Sequence, residues 1–367
     1  MSKIHVCVIG YGAAGRLHER LLSGLGCSVS VVDPAPVVVP SGTQVLTRPA
    51  DMHRSRPVDV WSVCSPTATH VKTVAAVLAV DPAARLLVEK PVCRSWELSE
   101  LTSLLARHPL ARVLVMDQYS QARAVSLLGS ARQEFAPGSA LRAVRVGFGK
   151  DRRDDIAAGR FVDHDHGVFG YEWPHMLALL RGVLPAESYA RYLRSVPDPD
   201  EGALRVATDP ELTSTAAHEI ATVDGVAVEL YSTIVGPQAT GQVPVPPWFD
   251  RSHCAGESRH RYVEVITGAV RFGLDLDPVT LPNGTRLPLN THRLVIEGPG
   301  LRREWLIHDS PMDNALRRSL DVLLTDPGPP GPDLNTASRI GRLAEAVGSA
   351  RHPSPMTAPS AAPSARL

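Results

Sequence analysis

At 367 residues the chain is long enough for two domains with cores of their own, and its 38 basic residues are balanced by 38 acids. That neutrality leaves no electrostatic footprint for nucleic acid or an anionic membrane, and no apolar run approaches the ~20 residues of a membrane span. The five cysteines (Cys7, Cys27, Cys64, Cys93, Cys254) are odd in number and lack CxxC spacing, which speaks against both a disulfide framework and structural zinc. Without a secretion signal in the sequence, a cytoplasmic protein is expected.

The first element covers residues 4–9, where Ile4, Val6, Val8 and Ile9 mark a β-strand. It runs into Gly10-Tyr11-Gly12-Ala13-Ala14-Gly15, after which Leu17, Leu21, Leu22 and Leu25 recur at helical spacing. Strand, glycine turn and helix together make a GxGxxG unit. Gly10 permits the tight turn, Gly12 lets the backbone approach a pyrophosphate, and Gly15 lets helix and strand pack closely; the helix start then offers free N–H groups to phosphate. A lone GxGxxG is a weak signal, so its context decides. A second strand at 29–32 ends in Asp33, eighteen residues past Gly15. An acid there accepts both ribose hydroxyls of an adenosine and repels a 2′-phosphate, which favours NAD over NADP. Pro34 and Ala35 follow it, not an Arg; the plainer alternative for Asp33 is a strand-end cap.

Residues 58–64 form a third strand, followed by Ser65-Pro66-Thr67-Ala68-Thr69-His70 at the end where open α/β sheets bind ligands. A helix over 71–80 leads to a strand at 86–88, which breaks off at Glu89-Lys90-Pro91 because proline cannot continue a central strand. Only four of the basic residues are Lys (3, 72, 90 and 150), so a Lys presented at a strand end stands out. A helix over 96–107 and a strand over 112–116, ending at Asp117-Gln118-Tyr119, complete the alternation. Beyond residue 121 it stops. A strand at 141–148, a charged stretch at 149–169 and β-like runs at 227–234, 261–266, 292–296 and 303–307 argue for a second, antiparallel α+β domain. Residues 335–349 read as a closing helix, and 351–367, dominated by Pro, Ser and Ala, as a disordered tail.

GxGxxG, then S-P-T-x-x-H, then E-K-P, in this order and at these distances, resemble the Gfo/Idh/MocA family of NAD(P)-dependent oxidoreductases. The resemblance implies an α/β chain: an N-terminal Rossmann dinucleotide-binding domain over 1–121, and a C-terminal α+β domain over 122–350 with an open, mainly antiparallel sheet. It implies that Ser65, Pro66, His70, Glu89, Lys90 and Gln118 join Gly10 to Gly15 and Asp33 around NAD, with Lys90 beside both nicotinamide and substrate. For His70 a helix cap is the plainer alternative.

The family opens its second domain with a helix carrying an acid four residues before a His. In Gly167-Val168-Phe169-Gly170-Tyr171-Glu172-Trp173-Pro174-His175 the His is His175, but Tyr171 holds the acid position and the nearest acid is Glu172. Pro174 suggests that the helix begins only here. Lys90, His175 and Glu172 are thus the catalytic candidates, with a structural role on a buried helix the alternative for His175. Lys150, Asp165, His166 and Tyr171 are the candidates for substrate. His164 and His166 among Asp163 and Asp165 could be read as metal ligands, but the chain lacks the fixed spacing of zinc sites and no metal is expected.

The expected activity is NAD-dependent hydride transfer at a hydroxyl or keto carbon of a sugar, cyclitol or small polyol. An NAD-dependent glycosidase, an imine reductase and a non-catalytic dinucleotide-binding regulator remain open. The expected partners are a small-molecule substrate and further copies of the chain. A homodimer or homotetramer through 220–310 is expected because an open sheet apolar on both faces cannot leave one in water.

Overall fold

The computed structural model describes residues 3–159, 162–197, 202–210, 212–236, 243–249, 259–325 and 333–351. The first part alternates strand and helix: β1 (His5–Ile9), α1 (Ala13–Gly24), β2 (Ser28–Val32), β3 (Val45–Leu46), α2 (Pro49–Ser55), β4 (Val60–Val63), α3 (His70–Leu78), β5 (Arg85–Val88), α4 (Leu98–Ala106) and β6 (Arg112–Val115). All six strands are parallel, in the order β3-β2-β1-β4-β5-β6. Every residue of β1 and β4 is buried, as strands covered on both faces must be. The strand order reverses between β1 and β4, so a crevice opens beyond their C-terminal ends. Gly10, Ser65 and Glu89, which directly follow β1, β4 and β5 or lie within two residues of them, meet there.

The chain continues with α5 (Arg123–Phe135), β7 (Leu141–Lys150), α6 (Arg153–Ala157), α7 (Val168–Tyr171), α8 (Trp173–Val183) and α9 (Ala186–Arg194). It then forms β8 (Leu204–Asp209), β9 (Thr213–Val223), β10 (Val226–Thr233), β11 (Arg259–Thr267), β12 (Val270–Leu276), β13 (Thr291–Gly298) and β14 (Leu301–His308). Two helices close it, α10 (Pro311–Thr325) and α11 (Leu334–Arg351). The eight strands run β14-β13-β12-β11-β7-β10-β9-β8, antiparallel except for the β7/β10 pair. Phe148, Leu230, Val263, Leu274 and Leu294 face Val125, Leu128, Trp173, Met176 and Leu180 in one core. Each such side chain stabilises the fold by about 1.5–3 kcal/mol when fully buried.

The two closing helices bind the halves together. α10 returns to the first sheet, where Ala315, Leu316, Leu320 and Leu323 pack with Val6, Val8, Leu22 and Leu87. α11 sends Arg339, fully buried, to the Glu219 carboxylate and the Ser195 carbonyl, while Tyr192 donates to Glu219 at 2.8 Å.

The outer face of the eight-stranded sheet is not the apolar surface expected of it. Arg145 pairs with Glu229 at 3.0 Å and Glu264 at 2.6 Å; Arg271 pairs with Glu264 and Glu297; Arg293 pairs with Asp275 at 3.2 Å and Glu304 at 2.8 Å. Alternation along each strand puts these side chains on one face, and cross-strand partners of opposite sign satisfy them there. Trp248 and Phe249 cover the middle of the same face against Tyr231 and Tyr262. No helix among the described residues is long and apolar enough to cross a membrane. The tail expected beyond residue 351 lies outside the described residues.

Candidate active site

The glycine turn has the shape its sequence demands. Gly10 sits at φ +88°, a conformation open to glycine, and a Cβ there would meet the Ser65 nitrogen at 2.6 Å. A Cβ on Gly15 would run into the Gly10 carbonyl. One on Gly12 would meet nothing within 4 Å. Gly12 caps α1 with no side-chain bond, and no acid stands in the first turn, so the N–H groups of Gly12, Ala13 and Ala14 open onto free space with the positive helix end behind them. At the end of β2 the Asp33 carboxylate accepts the N–H of Tyr11 at 2.7 Å and of Ala35 at 2.9 Å, which fixes it beside the turn. Space, free donors and a placed acid are what a dinucleotide's pyrophosphate and adenosine ribose require. The residues present fit that cofactor.

Below this cradle lies a residue the sequence reading passed over. His18 is fully buried, its ring nitrogens 2.8 Å from Ser62 Oγ and 2.9 Å from Glu89 Oε1. Burial opposes its charge, but Cys64 and Glu89 beside it outweigh burial and raise its pKa. Glu89 also accepts the Lys90 N–H at 3.1 Å, so α1 and the strand end that presents Lys90 are tied through one carboxylate. The signal was available: His18 follows Gly15 by three residues and so shares its inward face. His70 is a second strut, buried, with its ring nitrogens 2.9 Å from the Pro91 carbonyl and 2.7 Å from the Ser65 carbonyl. Burial lowers its pKa, and the neutral ring donates to one of the two. Pro66 is exposed on the cleft loop, and Gln118 half-buried just past β6.

Lys90 reaches out of the first domain. Its Nζ donates to the Tyr171 carbonyl at 2.7 Å, at the end of α7. Two residues later α8 begins, with Pro174 in its first turn, and His175 follows. The His175 ring lies edge-on to Tyr119, centroids 5.4 Å apart, and 6.3 Å from Phe148. Burial, then the charge of Lys90, hold its pKa well below the usual 6.5, so the imidazole is neutral and able to accept a proton. Lys90 is itself lowered by burial, against the pull of Glu172 and Glu89.

Glu172 is buried, and its carboxylate takes Arg152 at 2.5 Å, with no hydrogen bond to the His175 ring described. Burial would raise its pKa, but Arg152, Arg261, His175 and Lys90 together hold it well below the usual carboxylate range. Arg152 also lies 4.4 Å over the Tyr171 ring, and the Tyr171 hydroxyl accepts the Asp163 N–H at 2.7 Å. Asp163 in turn accepts the N–H groups of Asp165 and His166, which curls the loop on itself. His166 is buried and Asp165 exposed; both line a cavity with Thr213, Ser214 and Ala344, apart from the pocket that holds Lys90. Lys150 is buried against Asp155 and lines a third cavity with Arg259 and Asp277.

Residues 4–116 match the sequence pattern of GFO_IDH_MocA, the oxidoreductase family with an NAD-binding Rossmann fold. The match spans the N-terminal domain from β1 to the end of β6. No curated protein matches the sequence. Over nearly its whole length the chain is similar in fold to other solved structures. One is an oxidoreductase domain protein from Kribbella flavida (14% identity, TM-score 0.63, covering 96% of this chain and 98% of that one). Another is a 3-ketoreductase from Actinomadura kijaniata, in complex with TDP-benzene and NADP (13%, TM-score 0.62, 95% and 98%). A third, from Desulfitobacterium hafniense DCB-2, is described as an NADPH-dependent oxidoreductase (10%, TM-score 0.65, 96% and 97%). At these identities the likeness is one of fold. In this chain the E-K-P strand end and the segment leading into the helix that bears His175 come from different domains and meet through the bond from Lys90 to Tyr171.

Proposed function

We propose that the protein is an NAD-dependent dehydrogenase that interconverts a hydroxyl and a keto carbon in a sugar, cyclitol or small polyol. The observation that carries this reading is the bond from Lys90, just past the end of β5, to the Tyr171 carbonyl, which brings its ammonium to the start of the helix that carries His175. The bound nicotinamide would accept or supply the hydride. His175 takes the hydroxyl proton, which a neutral imidazole does near working pH. Lys90, still charged, donates a hydrogen bond to the same oxygen and stabilises alkoxide charge as it develops. Glu172 keeps Arg152 in place and holds a negative charge beside the two, which offsets the cost of keeping Lys90 protonated in a buried site.

NAD is the cofactor of this reading because Asp33, an acid at the end of β2 held beside the glycine turn, would accept ribose hydroxyls and repel a 2′-phosphate, with Pro34 and Ala35 in place of a cation. The homo-oligomer belongs to the same reading, with the outer face of the second sheet as its contact, where Ile220 and Leu306 stand exposed among the paired charges. A screen of sugars, cyclitols and amino sugars for change in nicotinamide absorbance tests the activity; the account expects turnover with NAD in at least one class and fails if NAD is never reduced and NADH never consumed.

A further inference from the structure

β7 and β11 pair with Arg259 opposite Lys150 and Arg261 opposite Phe148. Side chains two residues apart share a face, so Arg259, Arg261, Phe148 and Lys150 all project towards the helices and the crevice. The Arg261 guanidinium lies 5.5 Å from the Phe148 ring and 6.0 Å from the Tyr119 ring, the two rings that frame His175. Arg259 stands one step further along the strand, in a cavity of about 270 Å³ that Lys150 and Asp277 also line. Cations therefore run in file from the reacting centre into this cavity.

The nearby acids are engaged elsewhere. Glu172 holds Arg152, Asp155 holds Lys150, and the Asp277 carboxylate accepts the Asn290 N–H at 3.1 Å. Among the described residues no carboxylate lies within ion-pair distance of Arg259 or Arg261, and the Nε of each is buried without a hydrogen-bond partner. Among the described residues Arg261 donates only to the Asp277 carbonyl, at 3.4 Å. Two guanidiniums held side by side repel, and the effect shows in Arg259, whose pKa is lowered chiefly by the charge of Arg261. Each presents a planar fork that matches the paired oxygens of a carboxylate or phosphate.

We propose that the substrate carries an oxyanion, a carboxylate or a phosphate, which seats on Arg259 and Arg261 while its reacting C–O unit lies at Lys90 and His175. This deepens the dehydrogenase reading and rests on it for the position of the reacting carbon. The anion offsets the repulsion of the pair and sets which end of the molecule enters first. Arg259 and Arg261 thereby act as specificity determinants, without contact to the reacting atoms.

The test uses the full chain saturated with NADH, so that no probe can occupy the dinucleotide site. Glucose, glucuronate, glucose 6-phosphate and inorganic phosphate are titrated by calorimetry, the last two against glucuronate to tell phosphate from carboxylate. At least one oxyanion is expected to bind about tenfold or more tightly than glucose, and Arg259→Gln and Arg261→Gln should each remove about tenfold, the scale of a charge-assisted pair. Arg259→Lys keeps the charge, loses the fork and should fall between; unchanged NADH affinity certifies the fold of each variant. No oxyanion bound more tightly than glucose, or full affinity in both Gln variants, overturns the proposal. Oxyanions held by Arg259 and Arg261 with no polyol ever oxidised would support the seat and sink the dehydrogenase reading. Oxidation of neutral and anionic polyols alike would do the reverse.

Discussion

Gly12 and Gly15 lie three residues apart in one motif, and the structure assigns them opposite failures. A methyl group on Gly15 is pushed against the Gly10 carbonyl oxygen far inside contact distance, with the Gly10 carbonyl carbon at 3.0 Å and Val8 Cγ1 at 3.3 Å. These are backbone and core atoms, so relief requires α1 to move off β1, and Gly15→Ala should cost about 3 kcal/mol or more, the upper range of overpacking. Gly12 has φ −70°, allowed to any residue, and open space where its Cβ would stand. Gly12→Ala should therefore leave stability within about 0.5 kcal/mol, since a glycine-to-alanine change at a compatible position is mild. The same methyl projects into the room a pyrophosphate would use, and NADH affinity should fall by about tenfold or more. Urea denaturation and NADH fluorescence titration of the two variants separate the effects. Gly12→Ala with wild-type NADH affinity would refute the placement of the cofactor, and Gly15→Ala with wild-type stability would refute the packing argument.

In the pH profile, His175 must be neutral to accept a proton, so activity is lost as pH falls through a pKa held well below 6.5; Lys90 must be charged, so it is lost again as pH rises through a pKa that burial puts below 10.5. Activity should be level through pH 6.5, and an acid limb centred at or above 6.5 would contradict the account of His175. Unmutated protein should bind NAD(H) at least tenfold more tightly than NADP(H), with Asp33→Ala narrowing the gap; equal affinities in the titration would remove Asp33 from its assigned role. Arg339→Ala should destabilise by about 3–5 kcal/mol because it strands the buried Glu219 carboxyl, and a denaturation midpoint unchanged from wild type would show that the α11 staple is dispensable. Sedimentation at micromolar concentration should give a species larger than the 39.4 kDa monomer; a monomer would contradict assembly through the second sheet.

The first domain was legible because its signals are local. An apolar strand feeding three glycines, an acid at the end of the next strand and a Lys stopped by a proline are each read from a few neighbouring residues, and the parallel sheet follows from their order. What escaped was long-range. Nothing in residues 311–325 announces that α10 leaves the second half of the chain and packs on β1 and β5, because its amphipathic face would suit either core. The outer face of the second sheet was misjudged for a related reason: Arg145, Glu264, Arg271 and Arg293 alternate visibly, but that their charges cancel depends on strand register. At the site, Glu172 looked like a partner for His175 on sequence distance alone, while its carboxylate goes to Arg152, between β7 and α6 and twenty residues away. Arg259 and Arg261 were hidden in the same way, since their alternation marks a common face but only pairing with β7 shows which one.

The central claim is that Lys90 and His175 act on one substrate oxygen, and the most direct measurement is turnover of Lys90→Met and His175→Ala with NAD affinity as the control. The account predicts that each variant loses about 10² or more in kcat while binding NAD within a few-fold of wild type, the scale of a lost acid-base or charge-stabilising group. Full turnover in His175→Ala would contradict it, and would move the search for the base to Tyr171 and His166.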